Sequence, residues 1–66
     1  MAVAKVIELT AGSPTSFAEA TKVAVEKAAE SIHNIESAWI SEQKVVVEDG
    51  KVVEFRVTAR ITFIVD

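Results

Sequence analysis

The chain has 66 residues, half of them apolar, with no cysteine and a formal net charge of −3. This length predicts a single small domain, residues 1–66, that buries only about 60% of its unfolded surface. The missing cysteine excludes disulfides and thiolate metal sites, and the negative charge argues against a nucleic-acid partner. No apolar run reaches a membrane span of roughly 18 residues, and MAVAKVIEL does not resemble a signal peptide. We therefore expect a cytoplasmic protein, with no membrane partner, that gains stability by oligomerisation.

A strand and a helix are predicted in the first half of the chain. Residues 2–9 alternate well enough for a strand, and Ala11-Gly12 is expected to form a turn. A helix is then expected to begin at Ser13-Pro14, because serine can cap it and proline suits its first position. A capping box formed by Ser16 and Glu19 offers a second start, one turn later. The helix should run to about residue 31, with an apolar stripe of Phe17, Thr21, Ala24, Val25, Ala28 and Ile32.

Two long strands joined by a tight turn are predicted in the second half. Residues 35–47 are extended, and Asp49-Gly50 is a strong signal for a type I′ hairpin turn. Residues 51–65 alternate between apolar and polar side chains, which indicates an amphipathic strand. The predicted fold is therefore α+β, in the order β-α-β-β, with a three-stranded antiparallel sheet and one helix packed on its apolar face.

The predicted helix is too short to cover the predicted hairpin. A strand of 14 or 15 residues spans about 45–50 Å, whereas a helix of 18 or 19 residues spans about 27–29 Å. The apolar residues left uncovered near the hairpin tip are Val45, Val46, Val47, Val52 and Val53. Because such a patch is unfavourable in water, we expect an obligate homo-oligomer.

A polar sheet face with one tryptophan is predicted on the side away from the helix. A two-residue turn sets the register, unless a bulge shifts it by one. The expected cross-strand pairs are Gln43 with Arg56, Ser41 with Thr58, Trp39 with Arg60, and Ser37 with Thr62. This face could simply be solvated, or Trp39 could anchor an interface between copies. Alternatively, Trp39 could stack on a flat ligand while polar contacts come from Gln43, Arg56 and Arg60.

Cation binding is a further alternative, whereas catalysis has no support in the sequence. Candidate oxygen ligands for calcium are Glu36, Glu42, Glu48, Asp49, Glu54 and Asp66. No local run resembles a calcium loop, so any such site would be assembled across subunits. We predict no catalytic residues and no enzyme activity, because there is no thiol, no serine–histidine–acid set and no phosphate-binding glycine loop.

Three stretches of the chain resemble the dodecin family. They are VIELTAGSPTSFAEAT at the first strand and helix start, AVEKAAESIHNI through the helix end, and FRVTARITFIVD at the C-terminus. The resemblance covers almost the whole chain and implies a small, non-enzymatic protein that assembles into a hollow homododecamer. It also implies that the assembly binds or stores a small ligand, which is a flavin (riboflavin, FMN or FAD) in the best-known members and calcium in another subgroup. A purely structural shell without flavin is a further alternative.

The positions that carry flavin binding in the family differ in this sequence. A gap-free alignment places the family's stacking tryptophan at Ser37 and its hydrogen-bonding glutamine at Arg56, whereas Trp39 lies two residues further along the same strand face. The Phe55-Arg56 pair is similar to an aromatic–arginine pair in members without the flavin signature. The resemblance is therefore closer to the members that do not bind flavin, including the calcium-associated ones. The candidate ligand-binding residues are Ser37, Trp39, Gln43, Arg56 and Arg60, and the candidate metal ligands are Glu36, Glu42 and Glu54.

Overall fold

The computed structural model describes residues 3–65 of the chain. Strand β1 (Val3–Ser13) is followed by helix α1 (Phe17–Ala29), strand β2 (Ile35–Glu48) and strand β3 (Lys51–Val65). The strands form one antiparallel sheet in the order β1-β3-β2, so the long strand β3 lies in the centre. Helix α1 packs on one face of this sheet, which confirms the predicted α+β fold.

Strand β1 is longer than the sequence predicted, and the turn expected at Ala11-Gly12 is wrong. Both residues belong to the β1 ladder, where they lie opposite Val57 and Arg56. The carboxylate of Glu54 occupies the space that a side chain at position 12 would fill, and glycine leaves that space free. A Cβ at Gly12 would come within 2.7 Å of that carboxylate carbon. The glycine therefore serves a close side-chain approach within the sheet, not a change of chain direction.

Helix α1 begins one turn later than Ser13-Pro14, so the start at Ser16 is confirmed. Ser16 is the N-cap, with extended backbone (φ −169°), and its hydroxyl accepts the backbone N–H of Glu19 at 3.0 Å. Ser13 still belongs to β1, and its buried hydroxyl accepts the N–H of Thr15 at 3.0 Å. This local bond turns the chain between strand and helix, so the earlier serine is not free to cap α1.

The core lies between α1 and strand β3. Three alanines of the helix are buried against the centre of the sheet, which allows the helix backbone to approach closely. The buried apolar residues are Ala20, Ala24, Ala28, Val57, Ala59 and Ile61. Phe17 extends this contact along the sheet, meeting Phe55 edge to face with ring centroids 5.2 Å apart. The helix-facing side of the sheet is thus occupied, and the opposite side is left open.

The hairpin between β2 and β3 extends well beyond the helix. Asp49 and Gly50 both have positive φ (52° and 74°), which confirms the predicted turn. Strand β1 ends opposite Phe55, so the rest of the hairpin is a two-stranded ribbon. The molecule is 51 Å long, whereas the 13 residues of α1 span about 20 Å. The exposed valines on this ribbon are Val47, Val52 and Val53, and Val45 is exposed at its base, opposite Phe55.

Candidate functional site

Three irregularities in the β2–β3 ladder determine which side chains share the open face. The predicted pairs of Trp39 with Arg60 and of Ser37 with Thr62 are confirmed. Between these pairs and the turn, the ladder contains one extra residue on β3 (Val53) and one on β2 (Ser41). The two bulges cancel, so the register is as predicted on either side of them and displaced by one residue between them.

The displacement corrects two predicted pairs and the orientation of Gln43. Glu42 lies opposite Thr58, and Gln43 lies opposite Val57 rather than Arg56. Residues directly opposite in a sheet share a face, and Val57 is buried on the helix side. Gln43 therefore belongs to the helix side of the sheet, so the predicted placement of its side chain on the same face as Trp39 is wrong.

An open pocket lies on the sheet face opposite the helix. Its volume is about 480 Å³, and all three strands contribute to its walls. The lining residues are Glu8, Trp39, Ser41, Glu42, Thr58 and Arg60. The bulge at Ser41 brings two successive residues, Ser41 and Glu42, into the lining, where a regular strand would contribute only one.

Arg60 connects the two side walls of this pocket. It lies opposite Glu8 on β1 and opposite Trp39 on β2. Its guanidinium carbon is 5.2 Å from the centroid of the Trp39 ring, and its Nε donates to Glu8 Oε2 at 3.1 Å. Trp39 remains 64% exposed in the single chain, although arginine is stacked against it. The pocket therefore presents a large aromatic surface that the described residues, 3–65, leave mostly uncovered.

The hydroxyl groups on the pocket floor are hydrogen-bonded within the sheet. Ser41 donates from its hydroxyl to the carbonyl oxygen of Thr58 at 3.3 Å. The hydroxyl of Thr58 lies 3.3 Å from that of Thr10 on β1. These bonds connect the three strands beneath the pocket. The groups that remain available to contact a ligand are therefore the indole of Trp39 and the charged side chains.

Two of the predicted ligand contacts lie on the open face but outside the pocket. Ser37, opposite Thr62, is exposed beyond Trp39. Arg56 lies towards the hairpin tip, and its Nε donates to Glu54 Oε1. Of the predicted ligand residues, the structure therefore brings Trp39 and Arg60 together and leaves Ser37, Gln43 and Arg56 apart.

The predicted metal ligands are also dispersed. Glu42 lines the pocket, whereas Glu36 is the extra residue of a third bulge and Glu54 is paired with Arg56. Within residues 3–65, no three His, Cys, Asp or Glu side chains come together as a metal cluster. Asp66 lies outside the described residues. A cation site built from one copy of residues 3–65 therefore has no support.

Sequence reasoning missed Glu8 as a pocket residue. It lies between two core-facing residues of β1, Ile7 and Leu9, so alternation places it on the open face. Its proximity to Arg60 depends on β1 pairing with β3, a long-range choice that alternation within β1 does not reveal.

In the described part of the chain, residues 3–65, no helix is long and apolar enough to cross a bilayer.

The fold and pocket together define a small α+β protein that covers one sheet face with a helix and offers an aromatic, polar pocket on the other. The model of the Dodecin family matches residues 3–66. The chain therefore belongs to the dodecin family.

Two known proteins illustrate the breadth of this similarity. The calcium dodecin of Mycobacterium tuberculosis is 33% identical over 63 residues, covering 96% of this chain and 89% of that protein. The crystal structure of calcium dodecin from M. tuberculosis is described as that of a calcium-chelating immunodominant antigen with a novel calcium-binding site. It matches with a TM-score of 0.83 and 35% identity, covering 92% of this chain and 87% of the M. tuberculosis chain. The dodecin of Streptomyces coelicolor matches with a TM-score of 0.94 over 98% of this chain and 93% of that one. At 22% identity, the Streptomyces structure supports the fold alone.

Proposed function

We propose that this chain is a non-enzymatic protein that assembles into a hollow homododecamer and binds a small planar ligand beside Trp39. The observation that carries the ligand proposal is the 64% exposed indole, placed in an open pocket with Arg60 against it. An aromatic surface of this size is unfavourable in water at about 25 cal/mol per Å² and is favourable when a flat ring covers it.

The uncovered hairpin supports the proposed assembly. Val47, Val52 and Val53 are exposed beyond the point where β1 ends, and a two-stranded ribbon is marginally stable by itself in water. A second copy of the chain is the occupant we propose for this surface, because a 66-residue domain without disulfides gains most from association. Membership of the dodecin family gives twelve as the proposed number of copies.

Val52→Lys tests this interface. Val52 lies opposite Val47 on the ribbon, so the substitution places a charge within the apolar patch. We expect size-exclusion chromatography with light scattering to show a smaller species than the wild type. Val23→Lys is the matched control, because Val23 is also an exposed valine but lies on α1. Assembly lost with Val23→Lys and kept with Val52→Lys would contradict the proposed interface.

Flavin fluorescence tests the ligand proposal directly. Riboflavin, FMN and FAD share a flat ring system that could stack on Trp39, and stacking on an indole quenches flavin emission. We expect riboflavin emission to fall as micromolar protein is added to submicromolar riboflavin. Unchanged emission across that titration would show that the pocket does not bind this class of ligand at these concentrations, and the proposed flavin function would be withdrawn.

Calcium is the second candidate ligand, because the M. tuberculosis relative is a calcium dodecin. Glu8 and Glu42 supply carboxylates to the pocket, but calcium takes six to eight oxygen ligands. In this alternative, oxygens from neighbouring copies must complete the site. Isothermal calorimetry with calcium should then show heat that Glu42→Gln reduces. The absence of both heat and a change in melting temperature would remove this candidate.

A further inference from the structure

We infer that the pocket beside Trp39 selects planar aromatic ligands that carry no negative charge. The inference rests on the proposed small-ligand function and specifies the chemical class of the ligand. A neutral or cationic ring with N–H donors fits the pocket, and the same ring with a phosphate attached fits less well.

The first support is the balance of charge among the lining residues. The pocket contains two carboxylates, Glu8 and Glu42, and one guanidinium, Arg60. Arg60 is already engaged by Glu8, which accepts from its Nε, and by the indole of Trp39. The formal charge of Arg60 is therefore offset by that of Glu8, while its terminal N–H groups remain available as donors.

The carboxylate of Glu42 has no such ion-pair partner among the described residues. Within residues 3–65, no cationic group lies within ion-pair distance of it. Two basic residues on the same face, Lys44 and Arg56, lie towards the hairpin tip and outside the lining; Lys44 is two residues from Glu42 but forms no ion pair with it, and Arg56 is paired with Glu54. The pocket therefore carries a local excess of one negative charge, on a chain whose net charge is also negative.

The second support is the set of hydrogen-bonding groups left for a ligand. The hydroxyl of Ser41 is used by the carbonyl of Thr58, and the hydroxyl of Thr58 lies against that of Thr10. The oxygens of Glu42 remain as acceptors beside the exposed indole. A ring that stacks on Trp39 and donates N–H groups to Glu42 covers the exposed indole and supplies donors to the carboxylate oxygens. A cationic ring adds a favourable charge interaction.

Riboflavin and FMN form a matched pair of probes, because they share the ring system and FMN adds a phosphate. Trp39 is the single tryptophan and the chain has no tyrosine, so intrinsic fluorescence reports on this pocket alone. We expect FMN to bind about three- to tenfold more weakly than riboflavin in low salt, the size expected for partly solvated like charges several ångströms apart. Added salt should reduce the difference, because it screens that repulsion.

Two variants identify the carboxylate responsible. Glu42→Gln should bring the riboflavin and FMN affinities closer together, chiefly by strengthening FMN binding. Glu26→Gln removes the same charge from an exposed position on α1, on the other side of the sheet, and should leave the ratio unchanged. The planar cation proflavine should bind wild-type protein more tightly than the Glu42→Gln variant.

The outcomes separate this inference from the proposed function. Riboflavin binding with equal or tighter FMN binding would overturn the charge selection and leave the ligand function standing. A ratio that Glu26→Gln changes as much as Glu42→Gln would overturn the assignment to the pocket. Binding of proflavine without binding of riboflavin or FMN would overturn the inference that neutral rings fit the pocket and would replace flavin as the ligand class. Binding of none of these probes would overturn both proposals.

Discussion

Replacing Trp39 with alanine distinguishes a ligand platform from an interface anchor. In the single chain the indole contacts Arg60 and lies outside the buried core, with 64% of its surface exposed. An exposed cation–π contact contributes about 0.5–1 kcal/mol. We therefore expect Trp39→Ala to lower the free energy of unfolding by no more than about 1 kcal/mol and to leave the oligomer intact.

The expected effect on ligand binding is much larger. A flat ring stacked on one face of the indole covers roughly 100 Å² of apolar surface, which is worth about 2.5 kcal/mol at about 25 cal/mol per Å². Each 1.4 kcal/mol corresponds to about a tenfold change in affinity, so removal of the indole should weaken planar ligands by about 50- to 100-fold. Trp39→Phe keeps a smaller ring and should show an intermediate loss.

The assay combines light scattering for the oligomer with a riboflavin titration followed by flavin emission, which does not depend on the missing tryptophan. A weaker affinity with an unchanged oligomer mass supports the platform. Dissociation of Trp39→Ala into smaller species would show that the indole anchors an interface. An intact oligomer with unchanged affinity would refute the stacking argument.

Three further substitutions test the fold. Ile61 is fully buried in the core, so Ile61→Ala should lower the free energy of unfolding by about 2–5 kcal/mol in urea denaturation at fixed protein concentration; a loss below about 1 kcal/mol would contradict the described core. Ser16→Ala removes the acceptor of the Glu19 N–H and should cost about 1 kcal/mol, seen as a lower melting temperature, whereas an unchanged melting temperature would argue against this cap. An alanine at position 50 meets no steric clash but must adopt φ +74°, which asparagine tolerates better. Gly50→Ala should therefore be less stable than Gly50→Asn, and equal stability of the two variants would contradict the turn geometry.

The sequence predicted the fold well because its strongest patterns are local. Regular alternation along residues 51–65 defined β3 with the bounds that the structure shows, and Asp49-Gly50 defined the turn. The helix start was one turn too early because Ser13 and Ser16 are both good capping residues. The choice between them depends on how far β1 remains paired with β3, which is a tertiary property.

The pocket was only partly predictable, for a physical reason visible in β2. Residues 45–47 are all valine and residues 41–43 are all polar, so alternation carries no information about side-chain direction where the bulges occur. Gln43 was therefore assigned to the wrong face, whereas Trp39 and Arg60, beyond both bulges, were assigned correctly. Glu8 was missed because its neighbour across the sheet depends on strand order.

Native mass spectrometry of the purified protein, with and without added riboflavin, tests the proposed assembly and ligand binding together. For a homododecamer of a 7.1 kDa chain we expect a species of about 85 kDa that gains mass in whole riboflavin units when the ligand is added. A monomer of 7.1 kDa under the same conditions would contradict the proposal that other copies cover the hairpin valines. An 85 kDa species with no gain in mass would contradict riboflavin binding and leave the assembly standing.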